Sequence, residues 1–205
     1  MKTKLLCLTV LLAAMVLSGC SRTVTLFNGK NLDGWKPVLK DASTDSSAVW
    51  SAKDGVLRCE GNPFGYIRTT EAYSNYNLHV EWRWAEKPTN SGVLLHLTGP
   101  DKIWPQCIEA QLANQNAGDF IAMGGSSFAE KKEKNRVPKL HDTNEKKSGQ
   151  WNSYDITCKA DTITLVVNGL LQNTATKTSL TSGHIALQSE GGPIEFRNVT
   201  LTPLK

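Results

Sequence analysis

Five polar side chains alternate with apolar residues along three short segments of this sequence. They are Glu81, Arg83, His96, Glu109 and Gln111. Successive side chains of a strand point to opposite faces of a sheet, so all five would lie on the face away from the core. Carboxylates and imidazoles transfer protons, and carboxylates and amides bind the hydroxyl groups of sugars. If the segments share a sheet, they predict a carbohydrate site. The alternative is ordinary solvated side chains, whose charge pairs contribute about 0–1 kcal/mol each.

Tryptophan residues are spread among these segments, at Trp35, Trp104 and Trp151. The faces of sugar rings stack on aromatic side chains, while sugar hydroxyls form hydrogen bonds with carboxylates and amides. The tryptophans therefore favour the carbohydrate interpretation, and Trp104 is a candidate for substrate binding.

The segments that must position these side chains have the two-residue period of β-strands. Residues 77–84 and 108–112 alternate between apolar and polar side chains. In residues 92–97 the same alternation assigns His96 to the polar face and Leu97 to the core face. Because the core side of each segment is apolar, we expect three half-buried strands.

Turn signals separate strand candidates along the whole chain, and two of them are the hairpin dipeptides Asp54-Gly55 and Asn168-Gly169. Almost no long helical periodicity lies between the strand candidates. Many antiparallel strands without intervening helices predict an all-β fold, a jelly-roll sandwich of two antiparallel sheets.

Residues 117–150 interrupt the strand pattern. From Glu130 to Gln150 this stretch holds seven Lys or Arg residues and four acids. A long irregular insert in a compact domain is usually a functional or mobile loop. Lys139 and His141 are therefore candidates for closing over a site, although a solvated surface loop explains the lysine-rich part equally simply.

The N-terminus predicts where the protein works. Lys2 and Lys4 precede an apolar run that ends in Leu17-Ser18-Gly19-Cys20. This is the pattern of a bacterial lipoprotein signal, too short for a membrane span. We expect a signal peptide over residues 1–19, lipid attached to Cys20, a linker over 20–24 and one domain over 25–205. The expected location is the bacterial cell envelope, where the lipid would anchor the protein to the outer membrane, facing the periplasm.

Composition excludes several classes of function. The net charge of +4 falls to +2 without Lys2 and Lys4, which is too small to indicate nucleic-acid binding. The sequence has no Gly-x-Ser-x-Gly nucleophile motif and no closely spaced His and Cys ligands. Cys59, Cys107 and Cys158 lie among apolar or β-prone residues, so we interpret them as small buried side chains rather than as a disulfide framework.

Nine short motifs together resemble one family, the 3-keto-disaccharide hydrolase domain. They are spread over almost all of residues 25–204 and occur in the family's order. The motifs are residues 26–35 (LFNGKNLDGW), 54–57 (DGVL), 81–83 (EWR), 90–93 (NSGV), 108–111 (IEAQ), 149–152 (GQWN), 167–169 (VNG), 185–192 (IALQSEGG) and 195–199 (EFRNV). The resemblance implies a concanavalin A-like fold and action on glycosides oxidised to a ketone at carbon 3. It therefore implies a functional link to a sugar 3-oxidoreductase.

A ketone at carbon 3 acidifies the hydrogen on carbon 2, so that a base can remove it and form an enolate. The enolate then expels the substituent at carbon 1, and water adds to the product. We assign Glu109 as the base and His96 as its partner or as the acid. Arg83, oriented by Glu81, or a divalent metal would stabilise the enolate oxygen.

Substrate contacts are assigned to five further side chains. The expected ligands of the sugar are Gln111, Glu190, Trp104, Lys139 and His141. A metal held by His96, Glu109 and Glu190 stays open, because their wide spacing in sequence does not show whether they meet.

Two other functions also fit the sequence. A non-catalytic carbohydrate-binding lipoprotein would use the same sandwich and the same aromatic side chains. A scaffolding domain of the cell envelope would need neither Glu109 nor His96.

Overall fold

Fifteen strands and one short 3₁₀ turn, Ser46–Ala48, form the regular structure of residues 22–205 in the computed structural model. The strands are β1 (Val24–Thr25), β2 (Trp35–Leu39), β3 (Trp50–Lys53), β4 (Val56–Cys59), β5 (Gly65–Thr69), β6 (Tyr76–Trp84), β7 (Gly92–Thr98), β8 (Gln106–Gln111), β9 (Phe120–Met123), β10 (Arg136–Val137), β11 (Asn152–Lys159), β12 (Thr162–Val167), β13 (Leu170–Ala175), β14 (His184–Ser189) and β15 (Ile194–Pro203).

The strands form two antiparallel sheets. The first sheet has the order β13-β12-β11-β6-β15-β4-β3, with β1 paired to β15. The second sheet has the order β10-β9-β8-β7-β14-β5-β2. Consecutive strands such as β5, β6 and β7 alternate between the sheets, so the connections cross from one layer to the other. The predicted fold, an all-β jelly-roll sandwich of two antiparallel sheets, is confirmed.

The core fills the space between the two sheets. Leu78, Val80 and Trp82 of β6 are almost completely buried there, together with Ile108 and Ala110 of β8. The alternation predicted for these two strands is therefore confirmed. In β8 the residues between the core positions point to the outer face of the second sheet, where Cys107 belongs to a separate buried cluster.

A β-bulge in β7 breaks the alternation predicted there. His96 has a φ of 53°, and the register of β7 against β8 shifts between Leu95 and Thr98. Leu95 faces the core, but Leu97 lies on the outer face. The prediction that Leu97 faces the core was wrong, because the bulge inserts one residue and reverses the faces that follow it.

The predicted signal peptide, residues 1–19, and the lipid-carrying Cys20 lie outside the described residues 22–205, as does the start of the expected linker 20–24. Among the helices of the described residues, none is long and apolar enough to cross a membrane. Cys59, Cys107 and Cys158 are free and buried, as interpreted from the sequence.

Replacement of a core leucine tests the packing between the sheets. Leu57 of β4 has no exposed surface, so Leu57→Ala should lower the free energy of unfolding by about 2–5 kcal/mol in urea titrations. Leu140→Ala is the matched control, since 62% of Leu140 is exposed. It should change stability by less than about 0.5 kcal/mol. Equal effects of the two variants would contradict the assigned core.

Candidate active site

A pocket of about 340 Å³ lies on the outer face of the second sheet. Glu109 and Gln111 project into it from β8, on the side opposite the core residues Ile108 and Ala110. The pocket is lined by Asn90, Trp104, Glu109, Gln111, Ile121, Ala122, Met123, Gly124, Asn135, Gln188 and Glu190. Its floor is therefore polar, although only 3% of Glu109 is exposed to solvent.

Three connected segments hold the Glu190 end of the pocket. Asn90 and Glu190 form an isolated antiparallel bridge. The hydroxyl of Ser91 donates to the carbonyl of Gln188 over 2.8 Å. The amide of Gly191 donates to the carbonyl of Gly61 over 2.9 Å. The turn that carries Glu190 is thus fixed to two neighbouring segments rather than free in solvent.

Gly92 on β7 provides the space that Glu109 occupies. A Cβ atom at this position would collide with the Oε1 atom of Glu109 and approach its Cδ and Cγ to 2.9 Å. The φ of Gly92 lies outside the left-handed region, so glycine is required here for room rather than for backbone conformation. The carboxylate packs directly against the backbone of the neighbouring strand.

The two carboxyl groups of the pocket have unusual electrostatics. Burial raises the pKa of Glu109 to about 8, and the negative charge of Glu190 adds to the rise. Burial also raises the pKa of Glu190, against a hydrogen bond from Asn90 that lowers it. Neither carboxyl group forms an ion pair within residues 22–205.

Three buried acceptor atoms in this pocket have no hydrogen-bond partner within the described chain. They are Oδ1 of Asn90, Oε1 of Glu109 and Oε1 of Gln188. Buried polar atoms are normally paired, so several unpaired acceptors around one pocket indicate a ligand with several donors. A sugar, with a hydroxyl group on most of its carbons, has this property.

Gln111 offers the opposite kind of group. Its Oε1 atom accepts hydrogen bonds from the backbone amides of Leu112 and Ala113, each over 2.8 Å. Because the carbonyl is used in this way, the orientation of the side-chain amide is fixed and its NH₂ group is available as a donor. The pocket therefore combines a buried carboxyl group with an oriented hydrogen-bond donor on the same strand.

The structure also places Trp104 at this pocket. Half of the side chain is exposed, at 49%, and its ring lies 6.3 Å from that of Phe64, in an edge-to-face arrangement. Of the residues assigned from the sequence, the structure thus brings together Glu109, Gln111, Glu190 and Trp104.

Glu81 and Arg83 do not lie at this pocket. They belong to β6 in the first sheet, whereas Glu109 belongs to β8 in the second. Glu81 is paired with Arg197 over 2.6 Å, and Arg83 with Glu195 over 2.6 Å. The expectation that their strands share a sheet with β8 was wrong, because β6 pairs with β11 and β15 across the core.

Trp151 lies with these charges on the outer face of the first sheet. The guanidinium groups of Arg83 and Arg197 stack on its ring, at 4.5 and 4.1 Å from the ring centroid. Trp35, by contrast, is buried in the core, with its ring N–H donating to the carbonyl of Leu26. Two of the three tryptophans that suggested a sugar site therefore have structural positions elsewhere.

His96 faces the core rather than the pocket. At the bulge its ring packs edge-on against Tyr76, with centroids 5.6 Å apart, and its Nδ1 donates to the carbonyl of Leu180 over 3.0 Å. Burial lowers the pKa of His96, partly offset by that hydrogen bond. The structure thus separates His96 from Glu109. His96 is therefore not placed to act as the partner of Glu109 or as the acid for the leaving oxygen.

The metal set considered from the sequence is separated for the same reason. His96 does not approach Glu109 and Glu190, and residues 22–205 contain no group of three His, Cys, Asp or Glu side chains placed to hold an ion. The residues present therefore do not form the His96, Glu109 and Glu190 set that the sequence left open for a divalent metal.

Lys139 and His141 line a different pocket of about 490 Å³, beside Asp119 and Arg136. The Nζ atom of Lys139 donates to the carbonyl of Gln115 over 2.7 Å. The long insert does not bring these two side chains to Glu109.

Among the pocket residues that sequence reasoning missed are Asn90 and Gln188, which carry two of the three unpaired acceptors. Gln188 had a usable signal, since it alternates with the core residues Ile185 and Leu187 along β14. Asn90 precedes its strand, so periodicity gave no signal for it. Its place beside Glu109 depends on the turn that holds Glu190.

The model of the 3-keto-alpha-glucoside-1,2-lyase-like domain matches residues 22–202, and the chain belongs to this family. The resemblance inferred from its motifs is confirmed. The chain matches no curated protein.

Solved structures share the fold. A candidate glycosyl hydrolase from Parabacteroides distasonis is 25% identical, with a TM-score of 0.61, over 83% of this chain and 99% of that one. A beta-glucanase from Bacillus licheniformis is 15% identical, with a TM-score of 0.61, over 92% and 100%. A carbohydrate-binding module from Bacillus subtilis is 11% identical, with a TM-score of 0.60, over 84% and 97%. The last two are similar in fold alone.

The role of Gly92 can be tested by adding one methyl group. Gly92→Ala should displace the Glu109 carboxyl group and reduce turnover of a substrate by at least about tenfold, since small misplacements of a reacting group are costly. Circular dichroism should remain that of a β-sandwich. Turnover within twofold of the unmodified protein would contradict the assigned position of Glu109.

Proposed function

We propose that this chain cleaves glycosides whose sugar carries a ketone at carbon 3, with Glu109 removing the proton from carbon 2. The observation that carries the proposal is the buried, unpaired carboxyl group of Glu109, whose pKa is raised to about 8. An ordinary glutamate is a weak base, whereas a pKa near the working pH suits proton abstraction. Membership of the 3-keto-glucoside lyase-like family supports the same chemistry.

The proton on carbon 2 is acidic because the neighbouring ketone can hold the resulting charge. Transfer of this proton to Glu109 leaves an enolate, whose negative charge develops on the oxygen at carbon 3. The NH₂ group of Gln111, oriented by its two backbone hydrogen bonds, donates to this oxygen. Such oriented donors stabilise developing charge without having to reorganise.

The enolate then breaks the bond between carbon 1 and the leaving oxygen. Glu190, whose pKa is raised by burial, is the group that supplies a proton to that oxygen. Asn90 and Gln188 accept hydrogen bonds from the ring hydroxyls. Water then adds across the double bond between carbons 1 and 2, which regenerates a 3-keto sugar.

This route differs from ordinary glycoside hydrolysis. A conventional glycosidase uses two carboxyl groups on either side of the glycosidic bond, one as acid and the other as base or nucleophile, through an oxocarbenium-like transition state. In the proposed route the ketone removes the need for such a cation. The two carboxyl groups of the pocket then have different roles, because Glu109 acts as base while Glu190 donates a proton.

Carbohydrate binding without chemistry is the second candidate function, and the exposed ring of Trp104 favours it. A binding protein, however, gains nothing from a buried carboxyl group with a pKa near neutrality. Binding of unoxidised sugar without cleavage of the 3-keto form would support this candidate over the enzyme.

The proposal extends to location and partners. The sequence from Lys2 to Cys20 supports attachment through lipid to the cell envelope, facing the periplasm from the outer membrane. A sugar 3-oxidoreductase must act first, because the elimination requires the ketone.

Removal of the proposed base tests the function directly. Glu109→Gln should reduce release of the leaving group from a 3-keto-glucoside by at least about a hundredfold. Glu81→Gln is the matched control, since Glu81 lies on the opposite sheet and should retain activity within a few-fold. The unoxidised glucoside should not be cleaved by either variant or by the unmodified protein. Equal activity of the two variants would contradict the assignment of Glu109.

The dependence of kcat/KM on pH tests the coupling between the two carboxyl groups. The base acts when ionised, so kcat/KM should rise with pH, reach half of its maximum near pH 8 and level off at higher pH. Where Glu190 is ionised, its negative charge raises the pKa of Glu109. Glu190→Gln should therefore move the rising part of the pH profile of kcat/KM to lower pH, whether or not the maximal rate also falls. A rising part that stays in place or moves to higher pH would contradict this coupling.

A further inference from the structure

Two exposed aromatic side chains stand beside the Glu109 pocket. Trp104 is 49% exposed and Phe64 is 37% exposed, and their rings meet at an angle of 61° with centroids 6.3 Å apart. Trp104 lines the pocket, whereas Phe64 extends the aromatic surface beyond it. The pair forms a corner open to solvent.

Trp104 is held in place by the segment between β7 and β8, residues 99–105. Asp101 in this segment binds Arg68 on β5 through two hydrogen bonds, of 2.8 and 3.1 Å. It also binds Lys36 on β2 over 2.8 Å. In the second sheet, β14 separates β7 from β5 and β2. A segment that starts at the end of β7 and binds β5 and β2 therefore crosses the outer face of the sheet. The tryptophan is therefore presented on a tethered segment rather than on a free loop.

Phe64 is attached to the turn that carries Glu190. The hydroxyl of Ser189 donates to the carbonyl of Pro63 over 2.9 Å, one residue before Phe64. A Cβ at Gly61 would lie 2.6 Å from the carbonyl oxygen of Gly192, so the two turns are in direct contact. The aromatic corner thus lies on the side of the pocket where Glu190 is placed.

We propose that Trp104 and Phe64 form a subsite for the leaving group, and that the preferred leaving group is an aromatic alcohol. The inference rests on the proposed function, in which Glu190 donates to the leaving oxygen. A ring attached to that oxygen lies next to Glu190 and therefore beside the aromatic corner. A planar ring can stack on one of these side chains and meet the edge of the other, the two geometries that aromatic groups favour.

The ease with which the leaving group departs also favours an aromatic alcohol. A phenol has a pKa of roughly 10, as in tyrosine, so its oxygen leaves as an anion far more readily than that of an aliphatic alcohol. With His96 in the core, Glu190 is the one acid beside Glu109 in the pocket lining. A leaving group that needs little protonation suits a pocket with a single weak donor.

The test compares 3-keto forms of phenyl glucoside and methyl glucoside. Trp104→Ala should reduce kcat/KM for the phenyl compound by about tenfold more than kcat/KM for the methyl compound. Phe64→Ala should act in the same direction with a smaller loss. The change is taken relative to the unmodified protein, so the intrinsic reactivity of the two substrates cancels. Trp151→Ala, a tryptophan on the other sheet, is the control and should leave the ratio unchanged.

Equal losses on both substrates, or no loss on either, would overturn the subsite while leaving the proposed function in place. If neither substrate is cleaved, the proposed function fails, and calorimetric titration with unoxidised phenyl glucoside still tests the subsite. About tenfold weaker binding to Trp104→Ala than to the unmodified protein would support it. Equal binding would overturn it.

Discussion

The carboxyl group of Glu109 is buried against the backbone of β7, and no cation within residues 22–205 forms an ion pair with it. Burying an unpaired charge costs several kcal/mol, so the group is held as the neutral acid up to an unusually high pH. The rest of the pocket conforms to this constraint. Gly92 gives the carboxyl group room, and only 3% of Glu109 is exposed to solvent.

The outer faces of the two sheets differ in how their polar groups are satisfied. On the first sheet, Glu81 and Glu195 each bind an arginine, and both arginines stack on Trp151. On the second sheet, buried oxygen atoms of Glu109 and Gln188 have no partner within the described chain. Charged side chains that pair with one another, as on the first sheet, have a structural role. Unpaired acceptors around a pocket, as on the second sheet, indicate where a ligand binds.

Much of this organisation follows from sequence pattern, because the two-residue period of β6 and β8 reports which side chains face the core. The same pattern cannot show which strands are neighbours, so it grouped Glu81 and Arg83 with Glu109 although they lie on opposite sheets. Nor does it reveal the bulge at His96, which depends on a single backbone conformation. Gln111, Glu190 and Trp104 lie at the same pocket as Glu109, and their role as sugar ligands stays a prediction. The contact between Gly92 and Glu109 became visible only in three dimensions.

The central claim is that Glu109 removes the proton from carbon 2, and isotopic labelling at that carbon tests it most directly. A 3-keto-glucoside with deuterium on carbon 2 should be cleaved more slowly than the unlabelled compound, and the product formed in ordinary water should have lost the label. Cleavage at an unchanged rate with the deuterium fully retained would contradict the account.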